Sequence, residues 1–81
     1  MKVFGCTTYN NRKITRRFVA ATSQQKAADL FGMMIHELHT YSGTRGPETR
    51  NKTEMSVALA EPGVVFVVDN RRKERIEKWS K

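Results

Sequence analysis

Four basic side chains near the amino terminus have the chemistry needed to bind phosphate groups. Residues 1–22 contain five bases and no acid, and four of the bases lie close together: Arg12, Lys13, Arg16 and Arg17. Guanidinium and ammonium groups form charge-assisted hydrogen bonds with phosphates and carboxylates. These bases could instead only keep a sheet edge solvated and prevent aggregation. Because the charge exceeds what solubility requires, and the whole chain carries +7, we expect an anionic partner.

A second group of polar residues, in the middle of the chain, could hydrogen-bond to nucleic-acid bases. Imidazole and hydroxyl groups can donate to or accept from base edges, and this segment holds His36, His39 and Thr40. Arg45 and Arg50 follow soon after and could contact backbone phosphates. The two histidines have a spacing that metal ligands can use, but a third ligand would have to be Cys6, Glu37 or a remote residue. We therefore expect no metal and no cofactor.

The sequence favours neither catalysis nor a membrane location. It contains no paired-carboxylate or Ser-His-Asp arrangement that would indicate an active site, so we expect no enzyme activity. The lone Cys6 cannot form an internal disulfide, and it fits a reducing compartment. The longest apolar run, residues 64–68, is far shorter than the roughly 18 residues that cross a bilayer. With no secretory signal evident, we expect a cytoplasmic protein without a membrane partner.

The basic and polar residues must be positioned by two strands, three helices and a third strand. β-Branched and aromatic residues predict a hairpin, in which the neighbours Arg16 and Arg17 point to opposite faces. Caps, apolar spacing and glycine or proline stops predict the helices. The predicted strands are residues 2–9, 14–21 and 64–68, and the predicted helices are residues 24–31, 34–40 and one that opens at Thr53 and stops at Pro62.

The fold class expected from this order is α+β, as a single domain over residues 1–81. The third strand is expected to join the hairpin in a small three-stranded antiparallel sheet, with the helices on one face. Glu74 and Lys78 are spaced as a favourable helical pair, and Ile76 and Trp79 lie on one side of the same segment. The chain should therefore end in a basic helix or tail.

Residues 25–41 resemble the helix-turn-helix unit of DNA-binding proteins. In that unit a small residue precedes the turn glycine by four positions, and here these are Ala28 and Gly32. Phe31, Leu38 and Tyr41 fit the apolar positions that bury the helix crossing. The resemblance implies that the second helix enters the major groove of DNA, with His36, His39 and Thr40 near the bases. The alternative is an ordinary helical hairpin packed on a sheet.

Two functions follow, and they belong to different classes. In size, basicity and the helix-turn-helix spacing, the chain resembles small proteins of bacterial or phage origin, which implies regulation or interference rather than catalysis. The first function is a nucleic-acid-binding regulator that uses the basic and polar residues named above. Met34 and Ile35, however, stand where helix-turn-helix units usually carry polar residues, and exposed apolar side chains are typical of protein interfaces. The alternative is a phage-encoded inhibitor that binds an acidic surface of a host nuclease or defence complex. A homodimer would favour DNA recognition.

Overall fold

The computed structural model describes residues 1–10, 13–42, 46–69 and 75–79. Four strands and three helices occur in this part of the chain. In chain order they are β1 (Lys2–Asn10), β2 (Lys13–Ala21), α1 (Gln24–Phe31), α2 (Ile35–Tyr41), α3 (Lys52–Ala60), β3 (Phe66–Asp69) and β4 (Arg75–Lys78). The α+β class is confirmed. None of the helices in the described ranges has the length and hydropathy needed to span a membrane.

The strands form one antiparallel sheet in the order β1-β2-β3-β4. The prediction of a three-stranded sheet is wrong, and so is the prediction of a carboxy-terminal helix or tail. The segment from Arg75 to Lys78 pairs with β3, and the Trp79 N–H continues this pairing by donating to the Val65 carbonyl at 2.8 Å. Pairing with β3 satisfies the backbone groups on one side of this segment, and this outweighs a helical spacing that a few residues supply.

The helices cover both faces of the sheet, so the prediction that they lie on one face is also wrong. Alternate residues of β1 and β2 point to opposite sides. One set, including Phe4, Cys6 and Val19, packs with α1 and α2 on what we call the α1/α2 face. The other set, including Phe18, packs with Ala58 of α3 on the α3 face. Consecutive apolar residues in β2 and β3 are typical of strands that are buried on both sides.

The two helices of the hairpin are separated by a turn at Gly32. Ser23 caps α1, since its hydroxyl accepts from the Lys26 N–H at 3.2 Å. Gly32 adopts the left-handed conformation, with φ of 75°, and its N–H donates to the carbonyl of Ala28. The Glu37 carboxylate then accepts from the Met34 N–H at 3.1 Å, at the start of α2. The predicted limits of α1 are confirmed, and α2 begins and ends one residue later than predicted.

The outer edge of β1 is partly covered by the chain that leads into α3. The Gly5 N–H donates to the Pro47 carbonyl at 2.7 Å, and the Thr49 N–H donates to the Val3 carbonyl at 2.9 Å. Asn51 then caps α3, because its side-chain oxygen accepts from the Glu54 N–H at 3.1 Å. This route brings the first turn of α3 against β2, where the two neighbouring arginines lie.

Candidate functional site

The predicted basic cluster is divided between the two faces of the sheet. Arg16 lies on the α3 face and Arg17 on the α1/α2 face, so the prediction that they point in opposite directions is confirmed. Lys13 is the first residue of β2. Arg12 and Arg45 lie outside the described residues. Among the bases whose side chains the structure describes, Arg16 and Arg17 are therefore separated by the sheet.

Arg16 forms a bidentate ion pair with Glu54 of α3. Its Nε lies 3.1 Å from Glu54 Oε2, and its Nη2 lies 2.9 Å from Oε1. The Thr49 hydroxyl donates to the same carboxylate at 2.7 Å. A side chain at Gly5 would bring a Cβ within 2.7 Å of Arg16 Cζ, so glycine leaves the room that the guanidinium occupies. Arg16 thus links β2 to α3. Because Glu54 neutralises its charge, Arg16 attracts an external anion only weakly.

The buried Glu54 carboxylate stays ionised because of these contacts. Burial by itself raises the pKa of Glu54, but the hydrogen bonds from Arg16 and Thr49 and the guanidinium charge outweigh it. The pKa of Glu54 therefore lies below its usual value of 4.5. Since the charged form is favoured in the folded state, the ion pair contributes stability at neutral pH.

We expect the free energy of unfolding to fall as the pH drops below about 4.5, the usual pKa of glutamate. Glu54 has a lower pKa in the folded state than in the unfolded state, so the unfolded chain takes up the proton first and is favoured by acid. Urea denaturation followed across this pH range checks the result. The Glu54→Gln variant should show a shallower decline, and an equal decline in both proteins would contradict this role.

Arg17 has a different environment from its neighbour. Its guanidinium carbon lies 4.8 Å from the centre of the Trp79 ring, within the range of a cation–π interaction. Nη1 reaches the Thr8 hydroxyl at a long 3.4 Å, and the buried Nε has no hydrogen-bond partner. Among the described side chains, no carboxylate lies within 4 Å of it. Arg17 is held in place and keeps its charge unpaired within the part of the chain that is described.

Cys6 lies beside Arg17 on the same face and is fully buried. Burial raises the pKa of the Cys6 thiol, although the charges of Arg17 and Arg16 act in the opposite direction. A thiol with a raised pKa is a poor nucleophile at neutral pH. Cys6 therefore acts as a core residue.

The outer side of α2 exposes His36, His39 and Thr40, together with apolar side chains. The Thr40 hydroxyl donates to the His36 carbonyl at 2.9 Å. Its proton is therefore not available to an acceptor outside the helix. Met34 is 62% exposed, Ile35 is 37% exposed and Tyr41 is 40% exposed. Phe31 and Leu38 are buried as predicted, whereas Tyr41 is not. The exposed side of α2 thus mixes imidazoles with apolar groups and has no arginine or lysine.

Arg50 borders a cleft of about 780 Å³ between the end of α2 and the start of α3. The cleft is lined by charges of both signs, because Arg16 and Arg50 face Glu48 and Glu54. Lys2 contacts Glu48 at 3.7 Å at an exposed position. The charges of the described residues that line this cleft balance, so they exert no strong attraction on an anion. No group of three or more metal-ligating side chains occurs in the described ranges.

The sequence did not indicate that Glu54 contacts Arg16 or that Trp79 contacts Arg17. Glu54 is 38 positions from Arg16, and its place in the first turn of a helix suggested only a favourable dipole interaction. The predicted helix puts Trp79 on the same side as Ile76, but in the structure Trp79 follows a strand and packs on the α1/α2 face, opposite Ile76. Its contact with Arg17 has no local sequence signal.

No protein-family model matches the chain, and no curated protein or solved structure shows significant similarity to it. The functional conclusion therefore rests on the geometry and charge of the described residues.

Proposed function

We propose that this chain is a small basic nucleic-acid-binding regulatory protein without catalytic activity, acting in the cytoplasm of a bacterial or phage-infected cell. The observation that carries the proposal is Arg17, a positioned guanidinium with no described carboxylate partner. It belongs to a chain with a net charge of +7. Such a charge attracts polyanions, and a fixed guanidinium gives the attraction a defined point of contact.

Further support comes from cations that remain available around the fold. Arg50 and Lys52 are exposed and, within the described ranges, have no carboxylate within 4 Å. His36 and His39 on α2 are exposed and can hydrogen-bond to base edges. These groups are spread over the surface, which is suited to contacts with an extended polymer.

The test is direct binding of nucleic acid at increasing salt concentration. Wild-type protein should shift labelled DNA or RNA in a fluorescence anisotropy titration. Each neutralised phosphate releases counterions, so the affinity should fall by at least about tenfold between about 50 and 200 mM salt. Binding that does not change over this range, or no binding at the lowest salt, would contradict the proposal.

A second candidate function is inhibition of another protein, such as a host nuclease or defence complex. The observation that favours it is the exposure of Met34, Ile35 and Tyr41 around α2, since apolar and aromatic side chains are enriched at the centre of interfaces. An acidic partner would also attract the positive charge of the chain.

Nuclease treatment separates the two candidates. Tagged protein is used to capture partners from a bacterial lysate before and after digestion of all nucleic acid. Loss of every captured component after digestion favours nucleic-acid binding. A stoichiometric protein that remains bound after digestion, and is lost in a Met34→Lys variant, favours inhibition.

A further inference from the structure

The α1/α2 face of the sheet is covered by helices over only part of its length. Cys6, Val19 and Val65 are buried beneath α1 and α2. Farther along the strands on the same face, the side chains become half-exposed; we call these residues the open patch, and they are Thr8, Thr15, Arg17 and Val67. The open patch is therefore a strip of sheet surface that α1 and α2 leave accessible.

Arg17 lies at the centre of the open patch. Its contact with Trp79 limits the orientations of the guanidinium. Nε is buried, so the Nη groups are the donors that can reach a ligand, and within the described part of the chain they make only the weak bond to Thr8. A guanidinium can pair with phosphate oxygens and can also stack on bases. The hydroxyls of Thr8 and Thr15 lie opposite each other on the two strands and can donate to phosphate oxygens.

The strand register sets which side of Arg17 suits a phosphate. Glu77 lies at the same level of the sheet as Arg17, two strands away on β4, and adds a negative charge there. Thr8 and Thr15 lie two residues closer to the β1–β2 turn on the same face. Phosphates are therefore favoured on the side of Arg17 that carries Thr8 and Thr15.

The width of the sheet at Arg17 decides which form of nucleic acid fits. Four strands cross at this level, through Cys6, Arg17, Val67 and Glu77. With strands about 4.8 Å apart, the outer backbones are about 14 Å apart. The major groove of DNA is only about 12 Å wide and admits a helix or a two-stranded ribbon. The part of the sheet around Arg17 that the helices leave uncovered can instead accommodate an extended single strand.

We propose that the open patch, anchored by Arg17, binds single-stranded nucleic acid. The inference rests on the proposed nucleic-acid-binding function and specifies its ligand and its surface. The sheet then makes the main contact, and the exposed histidines of α2 make a secondary one.

The experiment measures anisotropy of a labelled oligothymidylate and of a duplex of the same length, with four variants. Arg17→Gln is compared with Lys26→Gln, which removes one positive charge from the exposed side of α1. Arg17→Gln should weaken single-strand binding about tenfold and reduce the salt slope by about one unit. Lys26→Gln should change the affinity less than about twofold, because it lies outside the patch.

A second pair of variants covers the case in which Arg17→Gln fails to fold. Thr15→Glu places a negative charge in the open patch, and Ser56→Glu places one on the exposed side of α3, across the sheet. Thr15→Glu should weaken binding strongly and Ser56→Glu only slightly. Thermal melting by circular dichroism confirms that each variant is folded.

The outcomes separate this inference from the function on which it rests. Failure of the wild type to bind either probe contradicts both. Salt-sensitive binding that prefers the duplex, or that is equally affected by the patch variants and their controls, overturns the open patch and leaves nucleic-acid binding in place. Preference for the single strand, with selective loss in Arg17→Gln or Thr15→Glu, supports the open patch.

Discussion

Leu38→Ala should lower the free energy of unfolding by about 3 kcal/mol, because it removes a fully buried side chain and leaves a cavity beneath α2. Leu38 is the buried residue of this seven-residue helix, and it packs with Phe4 and Phe31. A helix this short has no stability of its own in water. The loss is large against the roughly 4 to 12 kcal/mol expected for a chain of this size.

Urea denaturation of Leu38→Ala checks this expectation, with Ile35→Ala as the matched control on the same helix. Ile35 is 37% exposed, so its truncation should cost no more than about 1 kcal/mol. Equal effects of the two substitutions would mean that α2 does not rest on the sheet through Leu38. A separate early transition in which α2 alone unfolds, while the rest of the chain stays folded, would show that α2 unfolds separately from the core.

Glu54→Gln should be the most damaging single change at a polar position, at about 2 to 3 kcal/mol of unfolding free energy. The substitution keeps the size of the side chain but removes its charge, and it leaves the Arg16 guanidinium without its counterion. The Arg16 side chain retains 27% exposure, so water compensates part of the loss, and the expected cost lies below that of a fully buried pair. The Thr49 hydroxyl keeps an acceptor in the amide oxygen.

The control for Glu54→Gln is Glu48→Gln, which removes a carboxylate that is 51% exposed and contacts Lys2 at 3.7 Å. Exposed pairs of this kind contribute less than about 1 kcal/mol. Both variants raise the net charge equally, so a difference between their chemical denaturation curves reports the environment of the carboxylate. If the two curves coincide, the ion pair with Arg16 does not stabilise the fold.

The hairpin, the three helices and the strand at Phe66 could be predicted because each carries a local signal. Ser23 and Gly32 mark the limits of α1, and β-branched and aromatic residues at the start of the chain mark β1. The fourth strand could not be predicted, since Arg75–Lys78 contains one apolar residue and its pairing partner lies elsewhere in the chain. Short strands depend on their neighbours more than on their own sequence.

The position of α3 on the second face of the sheet, in contrast, could be predicted from the sequence. Val65 is buried on the α1/α2 face and Phe66 on the α3 face. Consecutive buried residues of this kind predict a strand covered on both sides, which requires a helix on each face. The pairing of Arg16 with Glu54 and the contact of Arg17 with Trp79 have no comparable signal, because they form only after distant elements pack.

The sequence of β2 also has a consequence for how the chain finds its fold. Along the strand, neighbouring positions that face opposite sides carry the same or similar residues: Arg16 and Arg17, Phe18 and Val19, Ala20 and Ala21. A slip of one position exchanges the two sides of a strand. In one direction it would place Arg17 in the position of Arg16 but also Phe18 in the position of Arg17, and in the other direction it would bring Arg17 to the fully buried position of Phe18. The border between Arg17 and Phe18 therefore sets the alignment of β2, because a slip either way exchanges a charged side chain for an aromatic one there.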